Sequence, residues 1–275
     1  MVQGKIVKQI SNDYTVKVND ELIVCKARGK FRNLGITPLV GDIVELENNY
    51  ILNILPRKNE LIRPSIANVD QAVVVTSTYI PAFSTDLLDK LLCVIEYNNI
   101  LPIIYISKLD LLNKEEIENI NKYIDYYKKI GYKVYTDLTI KEIFKNKITV
   151  FVGQSGAGKS TLLNKLDKNL NLQTGEVSFA LGRGKHTTRH VELIDLLGGM
   201  IADTPGFSKL SFIDMKNSDI RDNFIEFNDY KEYCEYKDCM HNLEDNCEIK
   251  RQVKCGNILE SRYNNYIKFI EKVIK

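Results

Sequence analysis

Residues 153–161 read Gly153-Gln154-Ser155-Gly156-Ala157-Gly158-Lys159-Ser160-Thr161, which matches the phosphate-binding loop pattern GxxxxGK[ST]. The glycines of this pattern let consecutive backbone N–H groups point at one phosphate tail, the lysine reaches the β- and γ-phosphates, and the hydroxyl after it binds Mg²⁺. An apolar, β-branched run precedes the loop at 148–152, and a helix with one apolar side follows it. Strand, loop and helix N-terminus form the anion site that the pattern requires. The sequence therefore predicts a parallel α/β core that binds a nucleotide with Mg²⁺.

A second nucleotide element lies upstream, at Ser107-Lys108-Leu109-Asp110. It is close to NKxD, the element that reads guanine, and it follows the strand-like run 103–106. The Asp110 carboxylate would accept hydrogen bonds from guanine N1–H and the 2-amino group, and Lys108 would stack along the base. Adenine lacks that pair of donors, so Asp110 would discriminate against ATP. Ser107 stands where asparagine is usual, and its hydroxyl can make only part of the link that ties this loop to the phosphate-binding loop.

A third element, Asp203-Thr204-Pro205-Gly206, follows a turn and a short strand and matches DxxG, which senses a γ-phosphate. Asp203 would hold Mg²⁺ through water, and the Gly206 N–H would contact the γ-phosphate. Phe207 follows, where Ras-like enzymes place a glutamine that orients the attacking water. Phenylalanine cannot do this, so either hydrolysis is slow by itself or another group positions the water.

Residues 173–190 have little apolar periodicity, which indicates a loop where the first switch belongs. Thr187 or Thr188 would supply the second hydroxyl for Mg²⁺. His186 adjoins them and is the candidate for orienting the water, because imidazole can hydrogen-bond water at neutral pH. The competing hypothesis is a group supplied wholly in trans, as activating proteins supply arginine. The candidate catalytic residues are His186, Thr187 and Thr188. The candidate nucleotide-binding residues are 107–110, 153–161, Asp203 and Gly206.

A cluster of potential metal ligands lies near the C-terminus, with the spacing C-x4-C-x-H-x5-C: Cys234, Cys239, His241 and Cys247. Three thiolates and one imidazole make a closed tetrahedral set, which is typical of structural zinc. The alternative is a group of unrelated cysteines or two disulfides, although the rest of the chain is typical of a cytosolic protein, where disulfides are rare. Cys255 is a spare ligand candidate, and Cys25 and Cys93 are expected to be small buried residues.

The guanine-reading element comes last in Ras-like GTPases, but it comes first here, which indicates a circular permutation. Together these features resemble the bacterial GTPase family that depends on the small ribosomal subunit, the RsgA/YjeQ type. The resemblance covers essentially the whole chain. It rests on the permuted order and on the motifs GQSGAGKST (153–161), GRGKHTTRHVEL (182–193), DTPGF (203–207) and the Cys/His cluster followed by Arg262-Tyr263-x-x-Tyr266.

This resemblance implies an α/β P-loop GTPase core in the permuted order G4-G1-G2-G3, an N-terminal OB-fold β-barrel and a C-terminal helical zinc domain. It implies GTP or GDP with Mg²⁺, one structural zinc ion, and late maturation of the small ribosomal subunit, which stimulates hydrolysis. The OB and zinc domains would contact its rRNA. The chain departs from the family pattern at Ser107 and around 135–139, where a second base-contacting loop is expected.

The length allows two or three domains, and the resemblance implies three, which we expect at 1–63, 64–214 and 215–275. Five short alternating runs split by Asn, Asp and Gly turns favour a small barrel in the first. Lys26, Arg28, Lys30 and Arg32 would share one face of a strand, or form a local basic cluster in a loop. In the second domain, the first strand is expected at 70–76. Ser84 or Thr85 would cap a helix through about Asn98, and a charged helix is expected over 114–130.

Composition limits the class of protein. The chain has 275 residues, 44% of them hydrophobic, and a formal net charge of +2, so bulk charge does not indicate nucleic-acid binding. Its first residues run straight into a strand pattern without a leader, and no apolar run approaches the ~20 residues of a membrane span. A soluble, cytoplasmic monomer is expected, without membrane association.

Two functions follow from these features. The first is a GTPase whose switch is read out on the ribosome, because the segment after Asp203 leads through 213–215 directly to the metal-binding domain. The second is an RNA-binding scaffold with a degenerate nucleotide site, which Phe207 favours and which the intact Lys159, Ser160, Asp203 and Gly206 oppose.

Overall fold

The computed structural model describes residues 1–62, 65–170, 172, 191–203 and 211–273, and only the backbone of Arg32, Ile62, Asp203 and Val273. The strands are β1 (Val2–Ile10), β2 (Asp13–Val18), β3 (Glu21–Ala27), β4 (Ile43–Glu47), β5 (Tyr50–Ile54), β6 (Glu60–Ile62), β7 (Ser65–Ala67), β8 (Gln71–Ser77), β9 (Leu101–Ser107), β10 (Lys133–Tyr135), β11 (Ile148–Val152), β12 (Glu192–Leu196) and β13 (Gly199–Asp203). The helices are α1 (Lys30–Asn33), α2 (Thr85–Tyr97), α3 (Lys114–Lys129), α4 (Lys159–Leu166), α5 (Asn217–Asp222), α6 (Glu248–Lys254) and α7 (Glu260–Val273).

The N-terminal strands close into a barrel. β1 pairs with both β2 and β4, and the circle is completed by the β2–β3, β3–β5 and β5–β4 pairs. Its interior is filled by alternate residues such as Ile6, Val16 and Val44, each with no exposed surface. The predicted OB-like barrel is therefore confirmed.

The strand alternative for the basic residues 26–32 is wrong. β3 ends at Ala27, and the chain then turns into the short helix α1. Phe31 is buried, while Lys26, Arg28 and Lys30 are exposed around it, so the local basic cluster of the other alternative is present. The apolar Phe31 anchors this turn to the barrel core.

The central domain is built on a parallel sheet in the order β10-β9-β8-β11-β13, with β12 antiparallel to β13 at its edge. The buried strand β11 reads Ile-Thr-Val-Phe-Val, as expected for a strand covered on both faces. The parallel arrangement brings the carboxyl ends of β8, β9 and β11 to one edge, where nucleotide loops belong.

The helices α2 and α3 lie where the sequence predicts them. Ser84 is the N-cap of α2, since its side chain accepts a hydrogen bond from the Leu87 N–H, which decides between Ser84 and Thr85. The apolar stripe of α2, including Leu88, Leu91 and Leu92, is buried. α3 begins with a capping box between Asn113 and Glu116.

The barrel and the central sheet are joined through β1 and β12. These strands pair antiparallel at Lys8 and Glu192, whose side chains form an ion pair at 2.8 Å. A second ion pair of the same length links Lys17 to Asp195. The antiparallel strands β6 and β7 lie on either side of the predicted boundary at 63 and 64, and the three domain ranges remain a prediction.

The C-terminal unit packs on α2 around a buried charge network. Arg262, 1% exposed, donates to the Glu226 carboxylate through Nε at 2.6 Å and Nη2 at 2.8 Å, and to Asp89 of α2 through Nη1 at 2.8 Å. Asp89 also accepts from the Tyr127 hydroxyl at 2.5 Å and the Asn265 amide at 2.7 Å.

Among the described helices, none is both long and apolar enough to cross a membrane.

Candidate nucleotide and metal sites

The phosphate-binding loop begins where β11 ends. Gly153 has a φ of 135°, and a Cβ added there would lie 2.1 Å from the Val75 carbonyl oxygen of β8. Only glycine allows the loop to pass this close to the neighbouring strand. The loop ends at Gly158, which has a φ of 98° and is the N-cap of α4. Ser160 and Thr161 therefore lie in the first turn of that helix, whose unpaired N–H groups favour an anion.

Lys159 folds over the start of its own loop. Its Nζ donates to the carbonyl oxygens of Gly153 at 2.7 Å and Gln154 at 2.8 Å. Burial lowers the pKa of Lys159 from its usual range, because the charged amine is partly withdrawn from water. The lysine is thus held by two backbone carbonyl oxygens at the loop where the sequence predicts phosphate.

The guanine-reading loop touches the phosphate-binding loop. The Ser107 hydroxyl, at the end of β9, donates to the Ala157 carbonyl at 2.6 Å, and the Lys108 Nζ donates to the Gly156 carbonyl at 2.8 Å. Lys108 has a left-handed backbone with a φ of 64°, and a 3-10 turn over Leu109–Leu111 follows. Serine in place of asparagine therefore still makes a direct link between the two loops.

Asp110 is exposed and makes no hydrogen bond with any residue in the described part of the chain. Its carboxylate is free to accept from a ligand. The neighbouring strand β10 leads into residues 136–139, where the Asp137 carboxylate accepts from the backbone N–H and the hydroxyl of Thr139 at 2.9 and 2.5 Å. Those two hydrogen bonds lower the pKa of Asp137 and occupy its side chain.

The switch elements are only partly described. Asp203 is the last residue of β13, paired with Glu192 of β12, and β13 lies next to the strand that carries the phosphate-binding loop. The predicted site residues His186, Thr187, Thr188 and Gly206, together with Phe207, lie outside the described residues.

The four predicted metal ligands come together. All their donor atoms lie within 4.8 Å of one another. The His241 Nδ1 lies 3.6 Å from the Cys234 Sγ and 3.3 Å from the Cys247 Sγ, and those two sulfurs are 4.0 Å apart. Tetrahedral zinc with thiolate and imidazole ligands separates such atoms by roughly 3.5–3.8 Å. The donor set is therefore compatible with zinc.

The electrostatics of the cluster suit a cation. Burial, helped by the neighbouring thiols, raises the pKa of Cys239 to about 12, so three thiolates would be unfavourable there without a positive charge. Burial lowers the pKa of His241 to about 4, which keeps the imidazole neutral, as a metal ligand must be. Cys255 is exposed and outside the cluster, while Cys25 and Cys93 are buried as expected.

Two tyrosines hold the metal-binding loop against α7. The Tyr263 hydroxyl donates to the His241 carbonyl at 2.7 Å, and the Tyr266 hydroxyl donates to the Met240 carbonyl at 2.5 Å. Arg262, beside them, joins the same helix to α2. The sequence pattern marked these three residues but assigned them no role, because their partners lie 22 to 173 positions away.

Comparison with known proteins matches the whole chain. The sequence models of the RsgA N-terminal domain and the RsgA GTPase match residues 3–50 and 54–213. The "Small ribosomal subunit biogenesis GTPase RsgA 2" of Oceanobacillus iheyensis is 48% identical over 99% of this chain and 98% of its own. The "Small ribosomal subunit biogenesis GTPase RsgA" of Enterococcus faecalis is 47% identical, over 99% and 95%.

Two solved structures are similar throughout. YloQ, described as a circularly permuted GTPase, has a TM-score of 0.85 and 40% identity, covering 99% of this chain and 95% of its own. YjeQ from Thermotoga maritima has a TM-score of 0.88 and 34% identity, covering 99% and 98%. These likenesses confirm the resemblance drawn from the motifs and the permuted order of the elements.

Proposed function

The chain belongs to the RsgA GTPase family, and on that premise we propose that it hydrolyses GTP in late maturation of the small ribosomal subunit. The observation that carries this proposal is the direct contact between the two nucleotide loops, made by Ser107 on Ala157 and Lys108 on Gly156. The loops that follow β9 and β11 would thereby hold one guanine nucleotide.

The phosphates would bind at 153–161, on backbone N–H groups of the loop and of the first turn of α4. Lys159 would exchange its two carbonyl acceptors for phosphate oxygens. The base would lie on the aliphatic part of Lys108, with Asp110 accepting from N1–H and the 2-amino group. The absence of a competing hydrogen bond to Asp110 among the described residues supports this role.

Residues Ser160, Asp203 and either Thr187 or Thr188 would hold Mg²⁺, which neutralises charge on the phosphates. The Gly206 N–H would contact the γ-phosphate. Because Phe207 cannot orient water, His186 is proposed to do so once the small subunit engages the protein. A group supplied in trans is the competing hypothesis.

The Cys234, Cys239, His241 and Cys247 set would hold one structural zinc ion. The four donors close the coordination shell and leave no open position for a substrate. The zinc would fix the loop 234–247, which Tyr263 and Tyr266 connect to α7. Its proposed contribution is therefore to folding and not to the reaction.

The proposed partner is the small ribosomal subunit, named in the relatives' descriptions. Contact with rRNA by the barrel is supported by the exposed Lys26, Arg28 and Lys30, which could neutralise phosphates. The zinc unit is proposed as the second contact. We propose that the protein acts as a monomer in the cytoplasm, where the subunit matures.

Nucleotide affinity tests the guanine assignment. Titration of the native chain should give tighter binding of GTP than of ATP by at least ~100-fold, because adenine leaves the Asp110 carboxylate unmatched. Asp110→Asn should weaken GTP and improve xanthosine triphosphate, whose 2-oxo group matches the amide donor. Equal affinities of the native chain for ATP and GTP would refute the assignment.

A further inference from the structure

The guanine-reading loop is held from two sides. On one side, Ser107 and Lys108 bond to the phosphate-binding loop, as described above. On the other side lies the segment between β8 and α2, which contributes Thr78 and Ile80. The Thr78 backbone N–H and hydroxyl both donate to the Ser107 carbonyl, at 3.3 and 3.1 Å. The Ile80 carbonyl accepts from the Lys108 Nζ.

This second side begins where regular strand pairing stops. The parallel register of β8 and β9 ends at the pair Ser77 and Ser107. The next residue along the chain, Lys108, turns into a left-handed conformation with a φ of 64°, which L-residues adopt only when their surroundings enforce it. Thr78 places two donors on the last carbonyl before that turn. The direction in which the loop leaves the sheet is thus set at the Ser107 carbonyl.

The chemistry of Ser107 explains why a second support is needed. An asparagine amide has two N–H donors and one acceptor, whereas a serine hydroxyl has one proton. The shorter contact, 2.6 Å, assigns that proton to the Ala157 carbonyl, leaving the Thr76 carbonyl at 3.3 Å as the weaker acceptor. The Ser107 side chain therefore secures the loop toward the phosphates and has no donor left for the other side.

We propose that Thr78 is a positioning residue for guanine recognition. Its hydroxyl donates the hydrogen bond that holds the guanine-reading loop on the side where the single proton of the Ser107 hydroxyl cannot. Thr78 does not touch the base. It acts through the Ser107 carbonyl, fixing the turn at Lys108 and with it the place of the Asp110 carboxylate two residues later. This inference rests on the proposed guanine site, so its test measures base discrimination and not affinity alone.

The test compares Thr78 with Thr76, which lies two residues earlier at the end of β8. Thr78→Val removes the hydroxyl at nearly constant volume, and Thr78→Ser keeps it. Thr76→Val is the matched control, because the Thr76 hydroxyl makes no hydrogen bond with any described residue. For each variant, the dissociation constants of GDP and ADP are measured by calorimetry or by competition with a fluorescent nucleotide, and the melting temperature is recorded.

We expect Thr78→Val to weaken GDP by about threefold to tenfold, the range for one lost hydrogen bond, with ADP affinity unchanged. The ratio of the two constants should fall by the same factor, while Thr78→Ser and Thr76→Val keep the native ratio. Equal weakening of both nucleotides, or no change relative to Thr76→Val, would overturn the inference.

Two further outcomes are separated by design. Thr78→Ala also removes the hydroxyl, and its ratio decides the question if Thr78→Val does not fold. A native chain without preference for GDP over ADP would refute the guanine assignment itself. A native chain with that preference, unaltered in the Thr78 variants, would refute only the role of Thr78.

Discussion

Replacing Arg262 by methionine should destabilise the C-terminal unit severely. Methionine keeps a long, flexible side chain in place but removes the positive charge. Asp89 and Glu226, 0% and 3% exposed, would then be buried together without a counter-charge. The Tyr127 hydroxyl and the Asn265 amide would still donate to Asp89, whereas Glu226 would lose both of its short hydrogen bonds.

The expected loss follows from the burial of this network. Removing one partner of a buried ion pair costs about 3–5 kcal/mol, because the remaining charge stays away from water. The Arg262 guanidinium also lies 4.5 Å from the centre of the Phe224 ring, a contact that methionine replaces only in part. We therefore expect the free energy of unfolding to fall by about 4 kcal/mol.

Lys268→Met provides the control on the same helix. Lys268 pairs with Asp86 at 2.5 Å, but the two side chains are 50% and 39% exposed. An exposed pair contributes about 0–1 kcal/mol, so this variant should remain near the native stability. Urea denaturation followed by circular dichroism measures both. A loss for Arg262→Met within 1 kcal/mol of that for Lys268→Met would refute the reasoning.

Acid should partly rescue Arg262→Met. Burial already raises the pKa of Asp89, and Arg262 is the main charge that opposes this shift. Without the arginine, the pKa of Asp89 would rise further, so the folded variant would bind a proton at Asp89 more tightly than the native protein does. The stability of Arg262→Met should therefore rise as the pH falls. The difference in free energy of unfolding between this variant and the native protein should then become smaller. A difference that does not change with pH would contradict this account of the network.

Three other perturbations have defined outcomes. Cys239→Ser should lower the zinc content from one ion per chain to none and loosen the C-terminal unit, whereas Cys255→Ser should retain the metal, as measured by elemental analysis. Burial raises the pKa of Glu96 to about 7, so the stability should fall as the pH rises from about 4.5 to about 7, and Glu96→Gln should reduce this fall in denaturation experiments. His186→Ala should abolish turnover stimulated by small subunits while GTP binding persists; unchanged stimulation would favour a group supplied in trans.

The sequence was sufficient for the features that depend on local pattern. The apolar run 148–152, the glycines after it and the stripe of α2 each predict an element from neighbouring residues, and each element lies where it was expected. The four metal ligands could also be predicted from the sequence, because their short spacing along the chain keeps them close together in space. The small barrel followed from the alternation of apolar and polar residues, and the family resemblance implied that it is an OB-fold.

Long-range and very short features were not predictable in this way. The strands β6 and β7 have three residues each, too few to show a period. Arg262 lies in a helix with many charged residues, so its sequence context indicates a surface residue. The one feature of the sequence that indicates its partner is Asp89, an acidic residue within the apolar stripe of α2. The turn at Lys30 broke the alternation of basic residues because Phe31 is drawn into the core. Thr78 acts through a backbone carbonyl, which leaves no trace in side-chain patterns.

Phosphate release from GTP, measured with and without purified small ribosomal subunits, tests the central claim most directly. The native chain should release phosphate very slowly alone, because Phe207 cannot orient water, and much faster with the subunits. Lys159→Ala should abolish the stimulated rate, since it removes the amine that would bind the β- and γ-phosphates. A native rate that the subunits leave unchanged, or stimulated turnover that survives in Lys159→Ala, would contradict the account.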